Sequence, residues 1–391
     1  YEALATESAY AENTAIGYRA LKTNSGGYYN TAVGHESLLA NTDGLSNTAV
    51  GGNALTANTT GAINTAVGNF SLDANTTGHS NSALGGYSLG ANTTGNYNVA
   101  IGRNAMAANT TASNNVAIGG NSPLDANTTG DSNVAVGSGN CLGANTTGAN
   151  NVGIGNAALS LNTTASKNIG IGTAALEANT TGIQNVAIGF QSLDANTTAA
   201  NNTAVGNETM STNTTGTQNA AFGTTAMILN TTGSYNTALG PYALKVNTTG
   251  ANNTAVGYEA GDSVTTGSNN VLIGNDAGSD ALGSITTVSN YIMLGNNSTA
   301  NAEIKVDWTV GSDQRDKTDI ETLPDNAGLN FVNQMRPVSY VFDNRDKYYP
   351  HTHAQYGERD HSKKSTAKQV GFIAQEIKTI EESIGWTDDH I

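Results

Sequence analysis

Through the first 295 residues the apolar positions keep a fixed beat. A five-residue word, Asn-[Thr/Val]-Ala-[Val/Ile]-Gly, recurs with small variations. Its glycine falls at Gly17, Gly34, Gly51, Gly68, Gly85, Gly102 and Gly119, a step of 17 residues each time. Two steps of 18 lead to Gly137 and Gly155, the step of 17 resumes from Gly172 to Gly274, and a looser unit ends at Gly295. Each long step carries one extra residue between glycine and leucine, near Ser122-Pro123 and Asn140-Cys141, as a coil tolerates at a corner. Self-similarity at a short fixed period is the mark of stacked, quasi-one-dimensional architecture. The pattern therefore predicts an all-β chain, a parallel β-solenoid or β-roll of 17-residue repeats over residues 1–295.

The unit from Gly68 to Gly85 shows the expected physics. Side chains alternate along a strand, so Thr65 and Val67 share one face and Ala66 takes the other. With Val67 and Leu72 as the main aliphatic groups of the coil interior, Ala66 is expected to face away from it. Asn75-Thr76-Thr77-Gly78 reads as a turn in which glycine supplies a positive φ and asparagine caps its own backbone. Burying a few such side chains yields roughly 2 kcal/mol each. Ordering each residue costs roughly 1 to 2 kcal/mol, so one coil cannot stand alone while a stack can. Equivalent positions then lie about 4.8 Å apart. Asn30, Asn47, Asn64 and Asn81 would form one ladder, and Asn58, Asn75, Asn92 and Asn109 another. Leu38, Leu55, Leu72 and Leu89 would form an internal spine. Some sixteen coils predict a rod on the order of 75 Å long. The alanine before the apolar residue (Ala15, Ala32, Ala49, Ala66, Ala83, Ala100) stays small, which points to a second chain packed along that flat face. An exposed strand position would drift to polar or β-branched residues.

Composition agrees with a repetitive fold: 46 Gly, 6% aromatic residues and only 12% charged residues leave little for a large irregular core. A formal net charge of −15 argues against nucleic acid or an anionic membrane as partner. No stretch approaches the roughly 20 apolar residues of a membrane-spanning helix, and the first ten residues lack the pattern of a signal peptide. Tyr1 is not a methionine, so the chain is expected to begin inside a longer protein. Cys141, the single cysteine, excludes an internal disulfide and reads as a buried, inert thiol near the leucine position.

Several chemistries are disfavoured. Ice binding needs an outward Thr-x-Thr array, whereas Thr76-Thr77 sits in a turn. Calcium-binding nonapeptide solenoids need an Asp in each Gly-rich turn, and most turns here have none. The many Asn-x-Thr sequons read as by-products of Asn ladders and turns rather than glycosylation sites. No unit carries an aromatic-rich loop or charged cleft of the kind a sugar site needs. No cofactor is expected. No metal is expected either: His351, His353 and His361 fall in a polar insertion and read as a solvated loop.

After Gly295 the period is lost and basic residues accumulate; eleven of the sixteen Lys and Arg lie between Lys305 and Lys378. Residues 296–311 read as a connecting strand and junction, and 312–391 as a separate small α+β domain. Val370–Ile384 reads as an amphipathic helix with Ile373, Ile377, Ile380 and Ile384 on one face. Three blocks stand out here: Ser312-Asp-Gln-Arg-Asp-Lys317, then Val332-x-x-Met335-x-Pro337 as a strand entry, then Val370-Gly-Phe-Ile-Ala-Gln-Glu-Ile377. A serine hydroxyl needs a neighbouring base. A lysine serves once burial or nearby positive charge lowers its pKa; Arg315 could supply that charge. Taken alone, Ser312-Asp313 capping a turn and Lys317 pairing with Asp316 or Asp319 would be the simpler reading.

In order and content, the three blocks resemble the C-terminal intramolecular chaperone, or auto-processing, domain of phage tailspikes and tail fibres. The repeats before them are similar to those of trimeric autotransporter adhesin heads. The resemblance implies a domain that directs homotrimer assembly of the fibre and cuts itself off before the motif serine. Ser312 would be the nucleophile, Lys317 the base and Gly311–Ser312 the scissile bond, a single-turnover reaction with no external substrate. The chain runs through that bond, which leaves open a precursor form and a member that chaperones without cutting. Related domains continue into further helices, so truncation after Ile391 is expected. Implied partners are further copies of the chain, other tail or baseplate proteins and a host cell-surface receptor, a glycan among the candidates. The implied location is the virion tail fibre. The alternative is a bacterial trimeric surface adhesin whose repeats bind cells.

Overall fold

The computed structural model describes residues 2–5, 12–278, 285–299, 329–341, 368–371, 376, 379 and 380. The chain divides into two compact units, Tyr1–Ala302 and Glu303–Ile391.

The first unit is a parallel β-solenoid. Each coil contributes one three-residue strand, from β1 (Thr14–Ile16) to β17 (Ile292–Leu294), and all join one 17-stranded sheet. Register is residue on residue: Thr48 faces Thr65, Ala49 faces Ala66 and Val50 faces Val67. The 18-residue steps leave it intact, since Val116 still pairs with Val134 and Val134 with Val152. The extra residue is absorbed at the corner, where Asn121 and Ser122 in one coil, and Gly139 and Asn140 in the next, take consecutive left-handed conformations.

Backbone pairing between coils continues outside the strands. The amide of Phe70 donates to Gly52 O of the coil before, and that of Leu72 to Ser88 O of the coil after, both at 3.0 Å. Phe70, Leu72 and Ser80 all have φ between 53° and 57°. A left-handed residue costs about 1–2 kcal/mol, and the cost is worst for β-branched side chains. That explains the spine. Its fully buried members are leucine or methionine, from Leu21 and Leu38 to Met106, Met210 and Leu244, and none is Val or Ile.

The motif glycine is required for two reasons. Gly68 has φ 141°, and a Cβ there would come within 2.5 Å of Gly85 O and 2.6 Å of its carbonyl carbon. Gly78 plays a different part from the one expected. It is not in the left-handed region; a Cβ there would meet Asn75 Oδ1 at 2.4 Å and Gly95 O at 2.5 Å. The turn needs room rather than a positive φ.

Both asparagine ladders are present and buried. Asn75 Nδ2 donates to Asn58 Oδ1 at 2.8 Å and to Gly78 O at 3.0 Å. Asn64 Nδ2 donates to the same Gly78 O at 2.8 Å, and Asn64 Oδ1 accepts the Asn81 backbone amide at 3.0 Å. The ladders thus meet at one carbonyl per coil. The ladder through Asn58 and Asn75 ends at Asn247, whose Oδ1 finds no donor among the described residues because buried Val264 stands where the next asparagine would be. From there the interior turns aliphatic, with Val264, Leu272 and Ile285.

One expectation is overturned. Ala66 faces inward and is fully buried, whereas Thr65 is exposed and Val67 half-buried. The same inversion holds at Ala32, Ala49, Ala83 and Ala100. The spine leucine and the two amide ladders fill the coil, so the strand centre has room for little more than a Cβ. Where glycine replaces alanine at Gly170, an added Cβ would lie 3.2 Å from Leu159 Cγ. The alanines are small because the interior is thin, not because another chain approaches them.

In the second unit, the helix α1 (Leu329–Gln334) leads into β18 (Val338–Val341), which pairs antiparallel with β19 (Lys368–Gly371). Val332 is therefore helical, and the strand begins only after Pro337. Val370 belongs to a strand rather than the start of a helix; helical backbone is described at Glu376, Thr379 and Ile380. The proposed face residues Ile373, Ile377 and Ile384 lie outside the described residues.

Replacing Asn75 by Ala should leave Asn58 Oδ1 without its donor and cost about 1–3 kcal/mol, while exposed Thr77→Ala should stay within about 0.5 kcal/mol. Solenoids open locally, so the readout is amide hydrogen exchange, with protection falling in the coils beside residue 75 and not at the ends.

Candidate assembly face and C-terminal segment

Because the strand centre points inward, the first and third strand residues form the outer face of the sheet. The third position carries Ile16, Val33, Val50, Val67, Leu84 and Ile101, and continues in the same character to Leu294. Solvent reaches much of this row: Ile16 is 62% exposed, Leu84 50% and Leu239 49%. The first position is Thr or Ser from Thr14 to Ser82, Val or Ile from Val99 to Val186, Thr or Ala from Thr203 to Thr254, and Val271 and Ile292 in the last two strands. From β6 (Val99–Ile101) to β11 (Val186–Ile188) both outward residues of every strand are Val or Ile.

The two rows make a flat apolar stripe. Seventeen strands at about 4.8 Å spacing, with residues i and i+2 about 7 Å apart, give a face on the order of 500 Å². A largely apolar face of that size is at the upper end of what a monomer carries, and such patches are often functional. Parallel sheets are ordinarily covered on both faces; here the inner face is covered by the spine and the outer one is open among the described residues of the first unit. No charged residue occupies either outward position from β1 to β17, so water has no strong hold on it. The sequence carries a trace of this face, though not enough by itself to say which side of the strand is the interior. The third position varies among Val, Ile, Leu84 and Phe222, a range of volumes that a close-packed interior resists, while the centre stays Ala or Gly from Ala32 to Ala255.

Cys141 is buried immediately before Leu142. Its Sγ would lie 3.0 Å from a Cβ at Gly153, so the larger thiol stands beside a coil that lacks its alanine. Burial, partly offset by a hydrogen bond to the Val136 backbone, pushes the thiol up to about 11. Only the thiolate is nucleophilic, and the site offers no activating cation. No group of three or more His, Cys, Asp or Glu suited to a metal ion occurs among the described residues.

The residues proposed for cleavage, Gly311, Ser312, Arg315 and Lys317, lie outside the described residues, as do His351, His353 and His361. Two of the three C-terminal blocks are described in part. Arg336, next to Pro337, donates from both Nε and Nη2 to the two carboxylate oxygens of Glu376, the Nε contact being 3.3 Å. This planar fork ties the segment before β18 to the one that follows β19, and it is a geometry that arginine forms and lysine does not. With the antiparallel pairing of Val338 to Gly371, it brings together blocks 40 residues apart.

Residues 312–385 match the family model described as chaperone of endosialidase. Neither a curated protein nor a solved structure matches the chain. The match covers the C-terminal segment alone and supports a chaperone domain there; the repeat region rests on its own geometry.

Cys141 in the native protein should resist iodoacetamide at pH 8 for hours and react fully once the chain is unfolded in guanidinium chloride. Mass spectrometry of the alkylated protein reads the difference; rapid native labelling would mean the coil at Gly153 opens far more readily than its packing implies.

Proposed function

We propose that this chain is the shaft of a homotrimeric fibre of the phage tail-fibre kind, with residues 312–391 as the chaperone that starts and aligns its assembly. The observation that carries this reading is the continuous apolar outer face of a sheet whose C-terminal neighbour matches a chaperone family. Three copies packing these faces together would cover the Val and Ile rows. Even counted as wholly apolar at about 25 cal/mol per Å², a face of about 500 Å² per chain contributes at most about 12 kcal/mol per chain before the cost of association. That is of the same order as the cost of association, about 4–15 kcal/mol, so the face alone does not make the complex permanent and an assembly domain has a part to play.

Such a fibre faces a register problem. Every shift of one chain by one coil puts nearly the same groups back in contact, because the period is 17 residues and the rows are alike. The 18-residue coils add little, since the strand register passes through them unchanged. A domain at one end that brings three chains together before the coils form removes the ambiguity. In this reading, Ser312, with Lys317 as base and Arg315 lowering its pKa, then cuts the Gly311–Ser312 bond. Its Oγ attacks the carbonyl of Gly311, and the amine of residue 312 leaves with a proton returned by the lysine; water releases the ester. The finished fibre would bind other tail proteins at one end and a cell-surface receptor along its length or tip.

Sedimentation analysis of the full chain should give a trimer. Ile154→Asp with Ile188→Asp should shift it to monomer while leaving the far-ultraviolet spectrum of the coils intact; a wild-type monomer would sink the trimer. Deleting residues 312–391 should give misregistered or insoluble material, and normal soluble trimers from that truncation would remove the chaperone role. Intact mass should show a fragment ending at Gly311 that disappears in Ser312→Ala; an uncut wild type leaves assembly without cleavage.

A further inference from the structure

The two outward rows of the strand sheet are even in size, with a few exceptions. Every first-position residue is Thr, Val or Ile except Ser82 and Ala220. Every third-position residue is Val or Ile except Leu84, Phe222, Leu239 and Leu294. Both exceptions in the first row fall in strands that are also exceptions in the third, β5 (Ser82–Leu84) and β13 (Ala220–Phe222). The smallest residue of one row thus stands beside the largest of the other, and the next smallest stands beside a leucine. Leu239 and Leu294 keep Thr237 and Ile292 as neighbours, so the exchange of volume belongs to β5 and β13 alone.

Nothing within one chain requires this exchange. Residues i and i+2 of an extended strand stand about 7 Å apart, and both point outward here. Leu84 is 50% exposed and Phe222 40% exposed. Along the stack Phe222 lies between Val205 and Leu239, and Ala220 between Thr203 and Thr237, all of them ordinary members of their rows. An open face accommodates any volume. Compensation of a large residue by a small one is demanded where a second surface closes on the first at interior density.

We propose that β5 and β13 are size keys that set the register between copies of this chain, with Phe222 of one protomer seated over Ala220 of the next and Leu84 over Ser82. This rests on the trimer reading above and adds the contact that tells one coil from another. Rotation about an axis parallel to the stack leaves every residue at its own height. Cyclic packing then brings the first-position edge of one face against the third-position edge of the next, a head-to-tail contact that closes into a ring. Bulk in one row must therefore be answered by a small residue in the other row of the same strand. Elsewhere a slip of one coil replaces Thr, Val and Ile by residues of similar size. At β13 it would drive Phe222 onto Thr203 or Thr237 and leave a void over Ala220; at β5 it would drive Leu84 onto Thr65 or Val99. Overpacking and voids both disfavour the slipped state. The keys are eight strands apart, about 38 Å, so a slip confined to part of the stack still meets one of them. The sequence hid them because Ala220 and Ala221 look alike; only the fold buries Ala221 and turns Ala220 outward.

Two measurements on the full chain test the keys. In sedimentation, Ala220→Phe should raise the concentration at which the trimer half-dissociates by about tenfold or more, the scale of one overpacked contact. Exchanging the pair, Ala220→Phe with Phe222→Ala, should bring it back to within about threefold of wild type, because large again meets small at one height. The exchanged variant carries the same outward Phe at position 220, and circular dichroism of each variant confirms that the coils persist, so lost assembly is not lost folding. Cysteine pairs read the height directly, since Cys141 is buried and is the one native thiol. Ala220→Cys with Phe222→Cys should oxidise to covalent dimers and trimers on a non-reducing gel. Thr203→Cys with Phe222→Cys, offset by one coil, should link about fivefold less or weaker still. Undiminished assembly of Ala220→Phe, an exchange that restores nothing, or equal linking by the offset pair would each overturn the keys and leave the trimer standing. A wild-type monomer would remove both.

Discussion

Hydrogen bonding between one coil and the next is the constraint on which the rest of this molecule depends. A single coil cannot satisfy its own backbone, because most of its amides have acceptors only in the coil above or below. Stacking therefore requires every coil to place the same groups at the same height, and that demand fixes the 17-residue period. The left-handed residues follow from it. At Phe70 and Leu72 the chain turns so that successive amides point to opposite neighbours, and the strain is tolerated because each turn secures a bond in both directions. The same demand bars β-branched residues from the spine and keeps the motif glycine bare, since the carbonyl of the next coil occupies the space its Cβ would need.

Inside this frame the asparagines act as structure rather than decoration. A buried carboxamide carries two donors and an acceptor with two lone pairs, so a stack of them can satisfy itself along the axis while tying down a turn carbonyl in its own coil. The point where the ladder stops, at Asn247 and Val264, shows the two ways to fill such an interior. Amides hold it by directional bonds and aliphatic side chains by packing, and at the boundary one oxygen is left unpaired. The change falls near the end of the stack, where no long run of identical coils remains to propagate the ladder.

Function follows from which groups the frame leaves on the outside. The strand face offers Val and Ile in rows, with no charge to oppose a second copy, and the C-terminal segment matches a chaperone family. Repetition provides length and a uniform face. The fork between Arg336 and Glu376 belongs to neither pattern and marks the C-terminal segment as a fold of another kind.

The sequence by itself determined the coil length, the number and pairing of the strands, the corner insertions, both asparagine ladders and the leucine spine. All of these depend on position within a period, and a period is legible in one dimension. It also showed that the chain changes character after Gly295, where a match to a chaperone family follows over residues 312–385. It could not decide which face of the strand was the interior. Alternation separates Thr65 and Val67 from Ala66 but carries no sign, and the ordinary rule that the larger apolar residue goes inside pointed the wrong way. Only the tertiary structure resolved it, because the volume left for the strand centre depends on Leu72, Asn64 and Asn75 arriving from elsewhere in the coil. They leave room for a methyl group, and valine goes out to the outer face of the sheet.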